Sequence, residues 1–195
     1  MKLFFVSSNS HKFQEIQLIL REYHIPISFY QTELPEIQSE SIEKIALFSA
    51  KTAFSEINQP LFTEDTGLFV EALNGFPGPY SSYVFKTIGN RGVLHLLDGE
   101  SNRTAVFKTA IALIISNTES MTFLGETKGK IALSERGTKG WGYDPIFIPL
   151  EGDGRTYGEM KIEEKNQLSH RRKALQLLSK FLSNQYPHIT QGGSV

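Results

Sequence analysis

The sequence contains no cysteine, one tryptophan and three methionines among its 195 residues. Without cysteine the protein can form neither disulfide bonds nor thiolate metal sites, and a cysteine nucleophile is excluded. The sequence also lacks a large excess of either positive or negative charge, because 20 basic and 21 acidic residues leave a formal net charge of -1. This balance argues against a dedicated nucleic-acid-binding protein, which would need a basic face.

Long hydrophobic runs are absent as well. The apolar run at residues 1–6 is too short for a signal peptide, and no stretch approaches the roughly 20 apolar residues of a membrane span. The content of 39% hydrophobic and 21% charged residues is that of an ordinary globular protein. The sequence therefore predicts a cytoplasmic protein with no membrane partner.

Alternating strand and helix patterns predict an α/β fold. The predicted strands are 2–7, 26–31, 105–115, 121–127 and two short strands on either side of Asp65. The predicted helices are 10–23, 41–57, 80–87, 91–97 and 169–183. Asn117–Ser120 is typical of a hairpin turn. We expect one domain over residues 1–190 and a disordered tail at 191–195.

Two adjacent carboxylates follow an apolar run in Thr63-Glu64-Asp65-Thr66-Gly67. The glycine is predicted to stop this run, so the acids would lie at a strand end or a sheet edge. Burying either acid would be costly without a cation or several hydrogen-bond donors. The pattern is typical of a metal site or a general base, and a solvated turn is the alternative.

A possible anion site precedes the first predicted helix. Ser7-Ser8-Asn9-Ser10-His11-Lys12 follows a strand, and hydroxyls, helix N–H groups and a lysine can converge there on a phosphate. The segment matches neither the Walker nor the dinucleotide glycine pattern. In the alternative, Asn9 or Ser10 only caps the helix and Lys12 is solvated.

The only tryptophan lies between two glycines in Gly140-Trp141-Gly142-Tyr143-Asp144. An aromatic ring flanked by glycines can be exposed on its face and stack on a base, and Asp144 could accept hydrogen bonds from a nucleoside. A core tryptophan in a tight turn is the alternative.

Cations occupy the first turn of the last predicted helix. Ser169 is a candidate N-cap, yet His170 and Arg171 oppose the helix dipole, which favours acids at this end. We therefore expect an anionic or carbonyl-rich group to lie against them.

These segments together resemble the inosine triphosphate pyrophosphatase family, the Ham1-like enzymes that hydrolyse non-standard purine nucleoside triphosphates. The matching stretches, in the family's order, are SSNSHK at 7–12, LPEIQ at 34–38, TEDTGLFVEALNGFPGPYSS at 63–82, GWGYDPIF at 140–147 and EEKNQLSHRRKAL at 163–175. The chain departs from the family at Ser7-Ser8, where Thr-Gly is usual. A second departure lies in the helix predicted at 41–57. Many relatives have a phosphate-directed lysine near the position that Phe48 or Ser49 occupies here, and Lys51 could take over its role.

The resemblance implies an elongated, two-lobed, mixed twisted β-sheet flanked by helices, with the active site in the cleft between lobes. It implies hydrolysis of ITP, dITP and XTP to the monophosphate and pyrophosphate, which clears them from the nucleotide pool. The implied cofactor is Mg²⁺, with Mn²⁺ as a substitute, and the implied assembly is a homodimer.

The resemblance also assigns residue roles. Glu36, Glu64 and Asp65 would hold the metal, with Glu64 and Asp65 as catalytic residues and Asp65 orienting or deprotonating the attacking water. The residues that would bind the triphosphate are Asn9, Lys12 and Lys165. Those that would contact the nucleoside are Asp144, His170, Arg171 and Trp141, whose ring stacks on the base. Further substrate-binding candidates are Ser7, Ser8, Thr66, Gly67, Gly142, Tyr143 and Ser169.

Two other functions fit parts of the sequence. A non-catalytic nucleotide-binding or sensing module would keep Trp141 and Lys12 without requiring the three acids together. A pyrophosphatase of related shape that acts on pyrimidine or modified nucleotides should lack the His170-Arg171 pair after Ser169.

Overall fold

The computed structural model describes residues 2–187, in which strands and helices alternate. The strands are β1 (Leu3–Ser7), β2 (Ile27–Gln31), β3 (Leu61–Val70), β4 (Pro77–Gly78), β5 (Thr104–Ser116), β6 (Glu119–Ile131) and β7 (Phe147–Pro149). The helices are α1 (Ser10–Glu22), α2 (Ile42–Ile57), α3 (Ser81–Thr87), α4 (Gly89–Leu96), α5 (Ile162–Leu168) and α6 (His170–Gln185). The predicted α/β class is confirmed, and the predicted tail at 191–195 lies outside the described residues.

The strands form one mixed seven-stranded sheet in the order β2-β1-β3-β5-β6-β7, with β4 paired to β3. Strand β1 is parallel to both β2 and β3, since the helices α1 and α2 supply the crossover connections that parallel neighbours require. Strand β4 is antiparallel to β3, and β7 is antiparallel to β6.

The chain divides into two compact units. Unit 1 comprises the described parts of Met1–Asp65, Thr109–Gly125 and Arg171–Val195, and unit 2 comprises Thr66–Lys108 and Glu126–His170. The core of unit 1 includes Phe5, Ile16, Phe62, Leu113 and Leu178. The core of unit 2 includes Leu68, Val93, Phe107, Phe147 and Tyr157. Each unit therefore has its own hydrophobic core.

Most predicted elements are confirmed to within a few residues at their ends. One exception is β3, which is one strand of ten residues where two short strands were predicted. The seven-residue helix α5 and the short strands β4 and β7 were not predicted. Among the helices within residues 2–187, none has the length and apolar character needed to cross a membrane.

Candidate active site

The two adjacent acids lie inside β3, and the prediction of a strand end was wrong. Gly67 does not end the strand, because its backbone is extended and a side chain there would meet the Gly78 carbonyl oxygen at 2.5 Å. The glycine instead permits β4 to approach β3. Consecutive residues of a strand point to opposite faces, so Glu64 and Asp65 project in opposite directions. Glu64 is buried, and Asp65 is half-buried.

Glu64 belongs to a buried ionic cluster in unit 1, the Arg171 network, formed by Lys12, Glu15, Glu64 and Arg171. Arg171 donates from Nε to Oε2 of Glu64 and from Nη2 to Oε1, each at 3.0 Å, and from Nη1 to Oε2 of Glu15. The Arg171 side chain is 1% exposed and that of Glu64 is 0% exposed. Such a buried carboxylate requires this compensation, because an unpaired buried charge is very costly.

Lys12 completes the network from α1. Its Nζ donates to the Glu64 carbonyl oxygen at 3.1 Å and lies 3.8 Å from Oε1 of the same residue. The alternative of a solvated Lys12 is therefore wrong, because the ammonium lies against β3. The structure brings a predicted phosphate ligand next to a predicted acid.

The loop between β1 and α1 is organised by its own side chains. Asn9 is the N-cap of α1, and its Oδ1 accepts from the N–H groups of His11 at 3.0 Å and Lys12 at 3.2 Å. Ser7 Oγ accepts from the Asn9 N–H at 3.1 Å, and Ser8 is exposed. The helix-cap interpretation is confirmed for Asn9, which uses two N–H groups that an anion could otherwise bind.

The carbonyl-rich or anionic group expected at the start of α6 is supplied by the protein itself. Arg171 faces Glu15 and Glu64, while Arg172 donates to both carboxylate oxygens of Glu22. This bond to Arg172 lowers the pKa of Glu22. All three guanidinium nitrogens of Arg171 donate to carboxylates of the protein. The structure therefore shows Arg171 bound to Glu15 and Glu64, whereas the resemblance implies a contact with the nucleoside.

The three predicted metal ligands are not gathered into one cluster. Glu36 lies exposed in the segment between β2 and α2, and Glu64 and Asp65 point to opposite faces of β3. Within residues 2–187 no group of three or more histidine, cysteine, aspartate and glutamate side chains is arranged to hold a metal ion. A preformed cage of these three carboxylates is therefore not present in the described part of the chain.

The tryptophan turn, residues 140–144, lies in unit 2 and contains predicted nucleoside-binding residues. Gly140 and Gly142 have left-handed backbones with φ values of 75° and 64°, which place the half-buried Trp141 at the apex. The Trp141 N–H donates to Asp144 Oδ2 at 2.9 Å. Gly140 is required, because a Cβ at this position would lie 2.1 Å from the same oxygen.

Lys165 lies beside this turn and forms a buried ion pair with Asp144. Its Nζ is 2.7 Å from Asp144 Oδ2, and the two side chains are only 4% and 5% exposed. The same Nζ lies 5.6 Å from the centroid of the Trp141 ring, within the range of a cation–π contact. The structure thus groups Lys165 with the predicted base-binding residues, whereas the resemblance assigned it to the triphosphate.

His170 and Ser169 are buried where α5 meets α6. The His170 ring packs 4.6 Å from the ring of Phe107. The Leu168 carbonyl, immediately before them, accepts from Thr127 Oγ1 at 2.8 Å and from the Tyr157 hydroxyl at 3.2 Å. These two bonds fix the backbone that carries His170.

Some predicted substrate ligands have contacts or conformations that also support the fold. The Tyr143 side chain lies in the core of unit 2 and donates to the Ser81 carbonyl at 2.9 Å, and burial raises the pKa of its hydroxyl. Gly67 and Gly142 allow a close strand approach and a left-handed turn. Thr66 is half-buried and follows Asp65 in β3.

Sequence reasoning missed Glu15 and Thr127. Glu15 carried a usable signal, because it lies four residues before Ile19 and so on the same face of α1, where a buried acid needs a partner. Thr127 carried none, since a threonine in a strand is ordinary.

Comparison with known proteins identifies the family of this chain. The sequence profile described as the Ham1 family matches residues 3–181. The chain belongs to the Ham1 family. The resemblance to inosine triphosphate pyrophosphatases is thereby confirmed.

Relatives within the Ham1 family match nearly the whole chain. A protein of Methanopyrus kandleri named dITP/XTP pyrophosphatase is 47% identical over 184 residues, which cover 94% of this chain and 97% of the relative. A protein of the same name from Pyrococcus horikoshii is 46% identical, with 93% and 97% covered. A solved HAM1 structure from Coxiella burnetii is 32% identical, superposes with a TM-score of 0.81, and is covered to 100%, against 94% of this chain.

Proposed function

We propose that the protein hydrolyses the non-standard purine nucleoside triphosphates ITP, dITP and XTP to the monophosphate and pyrophosphate, and so removes them from the nucleotide pool. The observation that carries this proposal is the buried Lys165–Asp144 pair beside the half-buried Trp141. It is supported by relatives at 46–47% identity that are named dITP/XTP pyrophosphatase.

The purine base would stack on Trp141 and meet Lys165 at its edge. A lysine ammonium offers only hydrogen-bond donors, so it suits the 6-keto oxygen of hypoxanthine or xanthine. The 6-amino group of adenine would face a donor N–H of the ammonium with another donor, and such a mismatch can discriminate by a factor on the order of 10⁴. His170 is the second base-edge residue in this proposal. Guanine shares the keto oxygen, so it must be rejected at its 2-amino group.

The triphosphate would be bound by unit 1 residues. Lys12 Nζ already lies beside Glu64, and the Ser7 and Ser8 hydroxyls lie at the end of β1 with Asn9 capping the helix that follows. An ammonium and hydroxyls at a helix N-terminus suit phosphate oxygens.

A divalent cation fits the donor set if the substrate supplies part of its coordination. Glu36 and Asp65 are the carboxylates we assign to it first. Glu64, the third predicted ligand, accepts from Arg171 at both oxygens and has only its remaining lone pairs for the cation. Mg²⁺ typically takes one or two carboxylates together with phosphate oxygens and water, which agrees with the lack of a three-carboxylate group within residues 2–187. When bound, Mg²⁺, or Mn²⁺ in its place, would neutralise phosphate charge and polarise the phosphoryl group.

In the proposed reaction Asp65 orients and deprotonates the attacking water. Attack at the α-phosphorus breaks the bond to the bridging oxygen and releases pyrophosphate, whose charge Lys12 neutralises. Glu64 contributes by holding the Lys12 ammonium against β3.

The proposal includes a cytoplasmic location and a homodimer. The segment 76–88 supports an assembly, because Tyr80, Tyr83 and Ile88 are 44%, 70% and 44% exposed. Light scattering coupled to size-exclusion chromatography measures the mass directly, and a monomer at micromolar concentration would contradict the homodimer.

The test is pyrophosphate release from ITP, XTP, dITP and the four standard triphosphates with Mg²⁺ present. We expect strong preference for the first three. Equal kcat/KM for ATP and ITP would contradict the assigned base recognition, preference for pyrimidines would favour the related pyrophosphatase, and nucleotide binding without turnover would favour a sensing module. In ¹⁸O-labelled water the label should enter IMP, and release of IDP with orthophosphate would contradict the reaction.

A further inference from the structure

The tryptophan turn is contacted by a buried side chain that belongs to none of the predicted motifs. Asn90, the second residue of α4, donates from Nδ2 to the Gly142 carbonyl oxygen at 3.1 Å. Its side chain is part of unit 2, as is the whole turn, and the residue is 8% exposed. The contact joins two segments that are 52 residues apart in sequence.

The acceptors around Asn90 determine the orientation of its amide. Nδ2 faces the Gly142 carbonyl and lies 3.5 Å from Glu135 Oε2. Turning the amide by half a rotation would place Oδ1 against these two oxygens, which would repel it. Nδ2 is therefore the donor, and Oδ1 is the buried atom without a hydrogen-bond partner among the described residues.

The Gly142 carbonyl needs this donor because of the conformation of the turn. Gly142 has a positive φ value, so its carbonyl lies in neither a strand ladder nor a helix, and it accepts from the Asn90 side chain. On one side the turn is fixed by the Trp141 N–H bond to Asp144. On the other side it is fixed by Asn90.

We propose that Asn90 is a positioning residue for nucleobase recognition, acting by holding the Trp141 ring in the orientation that stacks on the purine. It touches neither the substrate nor the reacting atoms. The inference rests on the proposed function only in that Trp141 is taken to bind the base; the coupling of Asn90 to Trp141 is independent of any activity.

Because Trp141 is the only tryptophan of the chain, its fluorescence reports on this turn alone. Asn90→Ala removes the donor, and Asn90→Asp keeps the shape while facing the carbonyl with an acceptor. Val93→Ala is the matched control, because Val93 is 0% exposed on the same helix and its loss perturbs the core of unit 2. The measurements are Trp141 emission and acrylamide quenching without nucleotide, and KM and kcat with ITP.

Both Asn90 variants should shift the emission and increase quenching, and should raise KM for ITP on the order of 10-fold with kcat changed by less than about 3-fold. Val93→Ala should lower thermal stability and leave emission and KM unchanged. Wild-type emission and quenching in Asn90→Asp would overturn the proposal, as would equal shifts in Val93→Ala. If wild type hydrolysed none of the non-standard purines, the proposed function would fail while the fluorescence result still decided the coupling of Asn90 to Trp141.

Discussion

Arg171 and Glu64 face each other through two parallel hydrogen bonds, from Nε to Oε2 and from Nη2 to Oε1, each 3.0 Å long. This fork geometry uses the planar guanidinium in a way that lysine cannot reproduce. The pair fixes Glu64 on one face of β3, and Lys12 is held in turn by Glu64. The neighbouring residue Asp65 is thus placed on a strand whose opposite face is rigidly anchored.

Arg171→Lys should destabilise the protein by about 3 kcal/mol, because it leaves buried carboxylates with incomplete pairing. The adjacent pair provides the control: Arg172→Lys alters a bond to Glu22, whose side chain is 47% exposed, and should cost less than about 1 kcal/mol. Urea unfolding measures both. Equal losses would show that the buried network contributes no more than the surface pair.

Asp65→Asn should lower turnover of ITP by a factor on the order of 10² to 10⁴, because the amide cannot accept the proton from water. Nucleotide binding, measured by calorimetry, should fall much less. Asp98→Asn, an exposed change in unit 2, is the control for the loss of one charge. Near-normal turnover in Asp65→Asn together with an inactive Glu64→Gln would reverse the roles of the two acids.

Glu36→Gln should raise the Mg²⁺ concentration needed for half-maximal activity, since it removes one proposed carboxylate ligand. Excess Mg²⁺ should restore part of the activity. Glu33→Gln is a suitable comparison, because Glu33 is also exposed in the same segment. If the Mg²⁺ titration of Glu36→Gln matched that of wild type, Glu36 would not bind the cation.

Gly140→Ala and Gly142→Ala separate backbone strain from displacement of Asp144. Both positions have positive φ, so alanine costs about 1–2 kcal/mol of stability at either one. Only at Gly140 does the added Cβ meet Asp144 Oδ2, whereas at Gly142 nothing lies within 4 Å. Gly140→Ala should therefore also lower kcat/KM for ITP on the order of 10²-fold, as for a misplaced binding group. Equal kcat/KM in the two variants would contradict this assignment.

Glu164 should contribute to the acid sensitivity of the fold. Its hydrogen bond from Arg155 lowers its pKa from 4.5 to about 2. A lowered folded-state pKa stabilises the protein above pH 4.5, and this contribution is lost as the pH falls towards 2. Glu164→Gln should therefore show a flatter decline of unfolding free energy over this range than wild type, while the exposed neighbour variant Glu163→Gln should follow wild type. Parallel curves for Glu164→Gln and wild type would contradict the prediction.

Elements with a clear local pattern could be predicted from the sequence. Helices α1 and α2 and the long hairpin of β5 and β6 were predicted because the spacing of apolar residues within each segment indicates its secondary structure. Strand β3 was misinterpreted because glycine usually interrupts a strand, whereas Gly67 is required by its neighbour Gly78. That requirement exists only after the sheet has formed.

The partners of the candidate site residues could not be read from the sequence. Arg171 and Glu64 are 107 residues apart, and Lys165 and Asp144 are 21 apart, so no local pattern links either pair. Sequence reasoning recognised that cations at the start of α6 needed an anionic partner. It could not tell that this partner is Glu64 and Glu15 rather than a ligand, because both are supplied by distant elements.

The order of synthesis gives the Arg171 network a further consequence. Glu15 and Glu64 leave the ribosome long before Arg171, from which they are separated by 156 and 107 residues. Until α6 emerges, the nascent unit 1 lacks the guanidinium that neutralises both acids, so their burial is unfavourable. The closing of unit 1 around this cluster must therefore wait for the last helix, and a ribosome-bound chain arrested before residue 171 should remain protease-sensitive in its N-terminal segment.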